Sequence, residues 1–229
     1  RITGDDKIYQ SPTDMGVNMV GFAISNDDIV RKASIEEIIR RYYKAQCEYK
    51  KGTTSIDTVK RIEYLMGEFN IDPLSRKVVV VAKEKQHEMH TPVVALQLGD
   101  GHIVTGRQKD LMTAACACVL NAVKYLAKID DKLELIPKHL LEPVLELKRN
   151  RLKLKKAQLS IKDVLMLLSI STSTNPIANI ALNKLDDLKG CEAHSSSMIG
   201  SSDQNTLSAL GVNLTMEPNY SSQLLYSPE

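Results

Sequence analysis

Between positions 27 and 69 apolar side chains recur every three or four residues. From Asp27 to Lys51 they are Ile29, Val30, Ala33, Ile38, Tyr42 and Ala45, the spacing of a long amphipathic helix. Asn26 or Asp27 can cap its start and Gly52 can end it. A second helix follows from Ser55, where Ile56, Val59, Ile62, Met66 and Phe69 repeat the period until Asp72-Pro73 stops it.

At Lys77 the pattern changes. The β-branched run Val78 to Val81 reads as a strand, and Pro92 to Leu98 and His102 to Thr105 read as a hairpin around Gly99-Asp100-Gly101. Lys109 to Ile129 reads as a helix with an unusually small middle, Ala114 to Cys118, suited to close burial against a sheet. Pro137 opens another helical tract, which Pro143 either kinks or restarts and which ends in Lys148 to Lys156. Ser160 with Asp163 forms a capping-box start for a helix carrying Val164, Leu165, Leu167 and Leu168. After a polar break at Ser171 to Thr174, Asn175-Pro176 caps a further helix that ends near Gly190. Cys191 to Ile199 reads as a strand, Ser202 to Leu210 as a short helix closed by Gly211, and Val212 to Met216 as a last strand.

Strands separated by helices predict an α/β fold, a layered α/β sandwich with a mixed sheet, joined to a helical subdomain. The expected organisation is a helical subdomain or hinge over 1–72, a sandwich domain over 73–217 with a helical insertion at about 137–188, and an irregular tail over 218–229.

Composition adds limits. The 229 residues are 43% hydrophobic and 25% charged, the balance of a chain that builds a core rather than a disordered one. No run approaches the ~20 apolar residues of a membrane span, and no signal-peptide series is present, so a cytoplasmic location is the default expectation. Four scattered cysteines, Cys47, Cys116, Cys118 and Cys191, read as reduced thiols rather than a disulfide framework. A net charge of +2 commits the chain to no charged partner. Arg1 at the first position suggests part of a longer polypeptide.

Four strings taken in order carry a resemblance: Ser11-Pro12-Thr13-Asp14-Met15-Gly16-Val17-Asn18, His90 through Leu98, Ile103-Val104-Thr105-Gly106, and Gly190-Cys191-Glu192-Ala193-His194-Ser195. Together they resemble the bacterial family called domain of unknown function 1846, over essentially the whole chain, which would be that family's C-terminal half. The resemblance implies an upstream half similar to a nucleotide-binding α/β domain with a glycine-rich segment. It implies no particular reaction. The hairpin followed by a helix, Leu96 to Gly106 and Lys109 to Ile129, is also similar to the core of the cytidine-deaminase fold. The zinc chemistry does not follow, because the His- or Cys-x-Glu and Pro-Cys-x-x-Cys strings are missing.

The candidate chemistry lies in two polar clusters. Thr13, Asp14 and Asn18 share a glycine-containing loop that can hold a ligand or simply cap a turn. His194 stands at a strand end before Ser195, Ser196 and Ser197, where a histidine base can be pictured, but alternation along a strand turns Ser195 to the opposite face. A hydrogen-bonded structural histidine is the competing reading. His87 and His90 flank Glu88 on an expected loop without metal-ligand spacing, and Asp100 and Glu192 have no evident carboxylate partner. The cations Lys148, Arg149, Arg151, Lys153, Lys155 and Lys156 could meet phosphate, but a solvated face explains them too; Leu147, Leu152 and Leu154 are then expected to find the core.

The leading expectation is the C-terminal portion of a nucleotide- or phosphate-ligand enzyme. Its catalytic groups would be His194 and Asp14, its ligand-binding groups Thr13, Asn18, Ser195 and Ser196. No metal and no cofactor are expected in the chain itself, with a nucleotide entering through the upstream half. The alternative is a non-catalytic module that assembles as a homo-oligomer; binding to nucleic acid is a minor option and binding to membrane is not expected.

Overall fold

The computed structural model describes residues 27–154 and 157–221. The chain divides into two compact units, residues 1–76 and 77–229.

In the first unit α1 (Asp27–Lys50) and α2 (Ile56–Glu68) pack together. Gly52, at φ +76°, lets the chain leave α1 in the left-handed region that other residues avoid. Ile39, Tyr43, Val59 and Met66 are buried. Asp72 accepts a hydrogen bond from the Leu74 amide at 2.8 Å and starts a single 3-10 turn at Pro73. Arg76 pairs with Glu36 at 2.8 Å.

The second unit is built on a four-stranded mixed sheet: β1 (Val93–Gln97), β2 (Ile103–Arg107), β3 (Glu192–Ser195) and β4 (Asn213–Met216), in the order β2-β1-β3-β4. β1 runs antiparallel to both neighbours, and β3 and β4 are parallel. The hairpin turn is set by Asp100, whose carboxylate accepts from the His102 amide at 2.9 Å, and by Gly101 at φ +85°.

Helices cover both faces. Ala95 joins Val78 and Ala82 of α3 (Lys77–Met89) in a small cluster on one side. Val94 and Leu96, turned the other way by the strand's two-residue period, join the main core with α4 (Ala114–Leu126), α6 (Ile161–Ser171), α7 (Pro176–Leu182) and α8 (Ser201–Ala209). The small centre of α4 has the expected function. A Cβ on Gly106 of β2 would press into the Cys118 backbone nitrogen and lie 2.5 Å from the Ala114 carbonyl oxygen, so strand and helix touch backbone to backbone.

The capping expectations at α6 and α7 hold. Ser160 and Asp163 bond reciprocally to each other's backbone, and Asn175 accepts from the Ile177 amide at 3.0 Å.

Three readings are corrected. Val78 to Val81 is helical, not a strand. Val78, Val79 and Ala82 form a buried stripe on α3, and the helix-favouring run Lys83 to Glu88 extends it, so packing overrides the β-branched preference. His87 therefore sits on a helix rather than a loop, and His90 follows it at φ 52°. Finally, Leu147, Leu152 and Leu154 do not reach the core. They stay 48%, 56% and 45% exposed around a wide π-type turn (Leu147–Arg151) that continues α5 (Lys138–Glu146). Pro143 lies within α5, and the helix runs through it.

Candidate functional site

β3 is flanked on both sides, and that placement decides what its polar residues can touch. His194 is paired in register with Ala95 and Thr215, which puts it on the α3 face, and its side chain is fully enclosed. Its Nδ1 is 2.9 Å from the Thr215 hydroxyl, and its Nε2 is 3.4 Å from Glu217 Oε1. The same carboxylate oxygen lies 2.8 Å from the Lys83 ammonium of α3. Burial pushes the Glu217 carboxyl upward, but His194 and Lys83 together outweigh it and hold it below the usual carboxylate range.

The serines are engaged in structure. Ser195 occupies the opposite face, as strand alternation requires, and donates to the Ser197 carbonyl at 2.6 Å. Ser196 accepts from the Val93 amide at 2.9 Å and ties the strand end to β1. Ser195 and Ser196 are fully buried. Thr13, Asp14 and Asn18 lie outside the described residues. Of the basic run, Lys148 turns inward to Asp163 at 2.6 Å and the Gln158 carbonyl at 2.7 Å, while Arg149, Arg151 and Lys153 are exposed. Lys155 and Lys156 lie outside the described residues.

A different place gathers open, charged side chains. At the β2 edge a cleft of about 560 Å³ is walled by Lys85 and Met89 of α3, by Arg107 and Lys109 at the end of β2, and by Leu111, Met112 and Ala117. Lys85 pairs with Glu88 at 2.9 Å. Arg107 and Lys109 have no carboxylate partner among the described residues, and the described lining contains no acidic residue. Asn121 donates to the outward-facing Thr105 carbonyl at 2.8 Å and so closes part of the sheet edge. Sequence reasoning passed over these cations because isolated surface lysines and arginines are common. Their convergence depends on α3, whose Val78 to Val81 stretch reads as a strand in the sequence, packing as a helix on β1, the neighbour of β2.

Among the described residues no group of three or more His, Cys, Asp or Glu side chains could hold a metal ion. No described helix is long and apolar enough to cross a membrane.

Scaffold and cleft define an α/β domain on a four-stranded mixed sheet, with an open cationic cleft and a closed histidine–glutamate pair. The chain belongs to the domain of unknown function 1846 family: the family's C-terminal model matches residues 74–226 and its N-terminal model matches residues 1–70. The chain therefore carries sequence of both family domains, which corrects the expectation of a C-terminal half alone. It is similar to UPF0371 proteins of Clostridium botulinum (strain Alaska E43 / Type E3) and Clostridioides difficile (strain 630), each 47% identical over 99% of this chain and 47% of the relative. A UPF0371 protein of Clostridium tetani (strain Massachusetts / E88) is 45% identical over the same shares. The chain spans about half the length of these relatives. Neither the family descriptions nor these names state a reaction.

Proposed function

We propose that the 77–229 unit binds a small anionic ligand, of the phosphate-bearing or nucleotide class, as the ligand-binding portion of a longer enzyme. The carrying observation is the convergence of Lys85, Arg107 and Lys109 on one cleft in which two of the three cations lack a carboxylate partner among the described residues. Cations on an apolar floor attract phosphate oxygens and lose less to solvent than scattered surface charges do. The volume, about 560 Å³, falls within the usual range for small-ligand sites.

The test is a thermal-shift and calorimetric titration of the chain with inorganic phosphate, pyrophosphate, AMP and ADP. One ligand at a hundred times its dissociation constant adds about 2.7 kcal/mol of stability. The doubly substituted Arg107→Ala, Lys109→Ala chain should bind at least tenfold more weakly while melting at the same temperature without ligand. Binding that survives the double substitution places the site elsewhere and ends this reading.

The likeness to the cytidine-deaminase core belongs to the same proposal. The β1–β2 hairpin followed by α4, pressed onto it at Gly106, supports it. His194 and Asp14 are the proposed catalytic groups under the enzyme reading, and Thr13, Asn18, Ser195 and Ser196 the proposed ligand-binding groups. The enclosure of His194 favours a structural role for it. Loss of turnover in His194→Ala or Asp14→Ala at an unchanged melting temperature would support the catalytic assignment.

A second reading, a homo-oligomeric assembly module, is favoured by one observation. Met166 and Ile170 of α6 and Ile180 of α7 are 56%, 57% and 51% exposed, large apolar side chains of the kind that subunit interfaces cover. Sedimentation decides it: a discrete oligomer that dissociates in Met166→Lys, Ile170→Lys supports assembly, and a monomer at high concentration rejects it.

A further inference from the structure

We propose that the ligand of the cationic cleft is amphipathic, with an anionic head at Arg107 and Lys109 and an apolar body lying in the adjoining cavity between α4, α5 and α6. This rests on the anion-binding reading and goes further by naming the other end of the ligand.

The geometry behind it is the adjacency of two cavities whose charges differ. The cleft at β2 and a second cavity, also about 560 Å³, share Leu111, Met112, Ala117 and Asn121 as a common wall. Beyond that seam the second cavity has an apolar wall of Leu120, Leu135, Ile136, Leu141, Leu145 and Val164, and between Lys124 and Glu142 three lysines and three acidic residues complete its lining.

Its charges balance in sign, unlike those of the β2 cleft. Lys124 donates to the Asp131 and Leu133 carbonyls at 2.8 and 2.6 Å, and Lys138 lies 4.0 Å from Glu134. An anionic group placed there would meet acidic as well as basic side chains, whereas at the β2 end it would meet two cations without a carboxylate partner among the described residues.

The same lining separates ligand classes. A nucleobase carries several donors and acceptors on its edges, and those laid against the leucine, isoleucine and valine wall would go unpaired, at a cost of roughly 1–3 kcal/mol each. An alkyl or aryl group has no such requirement and gains from every methylene removed from water. At the seam the Asn121 amide, anchored through its nitrogen to Thr105, leaves its oxygen as an acceptor beside the junction of head and body. The fitting class is thus an organic phosphate or carboxylate with an aliphatic or aromatic tail.

A chain-length series tests this on the unaltered 229-residue protein: inorganic phosphate, then ethyl, butyl, hexyl and octyl phosphate, with AMP alongside, all by calorimetry. Burial of each methylene should tighten binding about fourfold, so hexyl phosphate should bind at least tenfold better than inorganic phosphate and better than AMP. Leu141→Trp, which fills the second cavity, should erase the gain with tail length and leave the affinity for inorganic phosphate unchanged.

Equal affinity for phosphate and hexyl phosphate, or tighter binding of AMP, overturns the amphipathic ligand but keeps the anion site. Failure of every phosphate to bind overturns both. A tail-length gain that persists in Arg107→Ala, Lys109→Ala with undiminished affinity also overturns it, because the head would then not be at those cations.

Discussion

His194 Nε2 faces Glu217 Oε1 at 3.4 Å with the imidazole wholly enclosed. The carboxylate is also held by Lys83 at 2.8 Å, so one acceptor ties α3 to the segment leaving β4. Glu217→Gln keeps the size but removes the charge that both neighbours face. It should cost about 1–3 kcal/mol in chemical denaturation, and a change below 0.5 kcal/mol would show that the pair contributes nothing net.

The pH dependence of that pair has a definite sign. The folded Glu217 carboxyl titrates below its unfolded value, so its contribution is present above about pH 4.3, where an unfolded glutamate is ionised. It is lost as the pH falls through the folded value. Between neutral pH and pH 3 the native chain should therefore lose more stability than Glu217→Gln does. Parallel curves would show that Glu217 is not the group responsible.

Asp203 carries the opposite sign. It is buried and accepts from the Ile161 amide at 2.8 Å and the Thr113 hydroxyl at 2.7 Å, joining the start of α6 to the start of α4. Burial raises its carboxyl despite those two donors. Its ionisation then costs the folded state, so its contribution is full below the unfolded value and shrinks as pH rises through the folded one. Asp203→Ala should destabilise by about 2–4 kcal/mol, since it orphans two donors. Asp203→Asn should cost less and flatten the dependence between pH 4 and 7; a larger loss for Asn than for Ala would contradict this account.

Gly106→Ala is expected to be the most damaging methyl in the 77–229 unit. The added carbon meets backbone atoms of α4, the Cys118 Cα at 2.6 Å among them, and backbone cannot swing aside as a side chain can. A loss above about 3 kcal/mol, or failure to fold, is the expected result. Wild-type melting of Gly106→Ala would mean that β2 and α4 are farther apart than described.

The thiols should be inert. Burial pushes Cys118 up to about 12, and Cys116 is raised as well, first by burial and then by Asp203 and Asp163. Because the thiolate is the reactive form, iodoacetamide at pH 8 should leave both unmodified in the native chain and label both in denaturant. Rapid native labelling of Cys118 would contradict its placement under β2.

Much of this fold could be read directly from local signals. The Ser160–Asp163 box, the Asn175-Pro176 cap, the Gly99-Asp100-Gly101 turn and the small-residue centre of α4 each act over a few neighbouring residues, and each was legible. The 1846 family was legible too, in four short strings, although the extent of its N-terminal part in this chain was not.

Sequence by itself determined the order of most elements and the face each strand residue turns to, because capping, turn chemistry and the two-residue period are properties of neighbouring positions. Tertiary structure decided three things that no local pattern contains. It made a helix of Val78 to Val81 by offering Val78 and Ala82 a buried surface beside Ala95. It enclosed His194 against Glu217, 23 positions away, whose carboxylate is held in turn by Lys83, 134 positions before it. And it brought Lys85 from α3 beside Arg107 and Lys109, forming a cationic cleft from residues that are unremarkable where they stand in the chain.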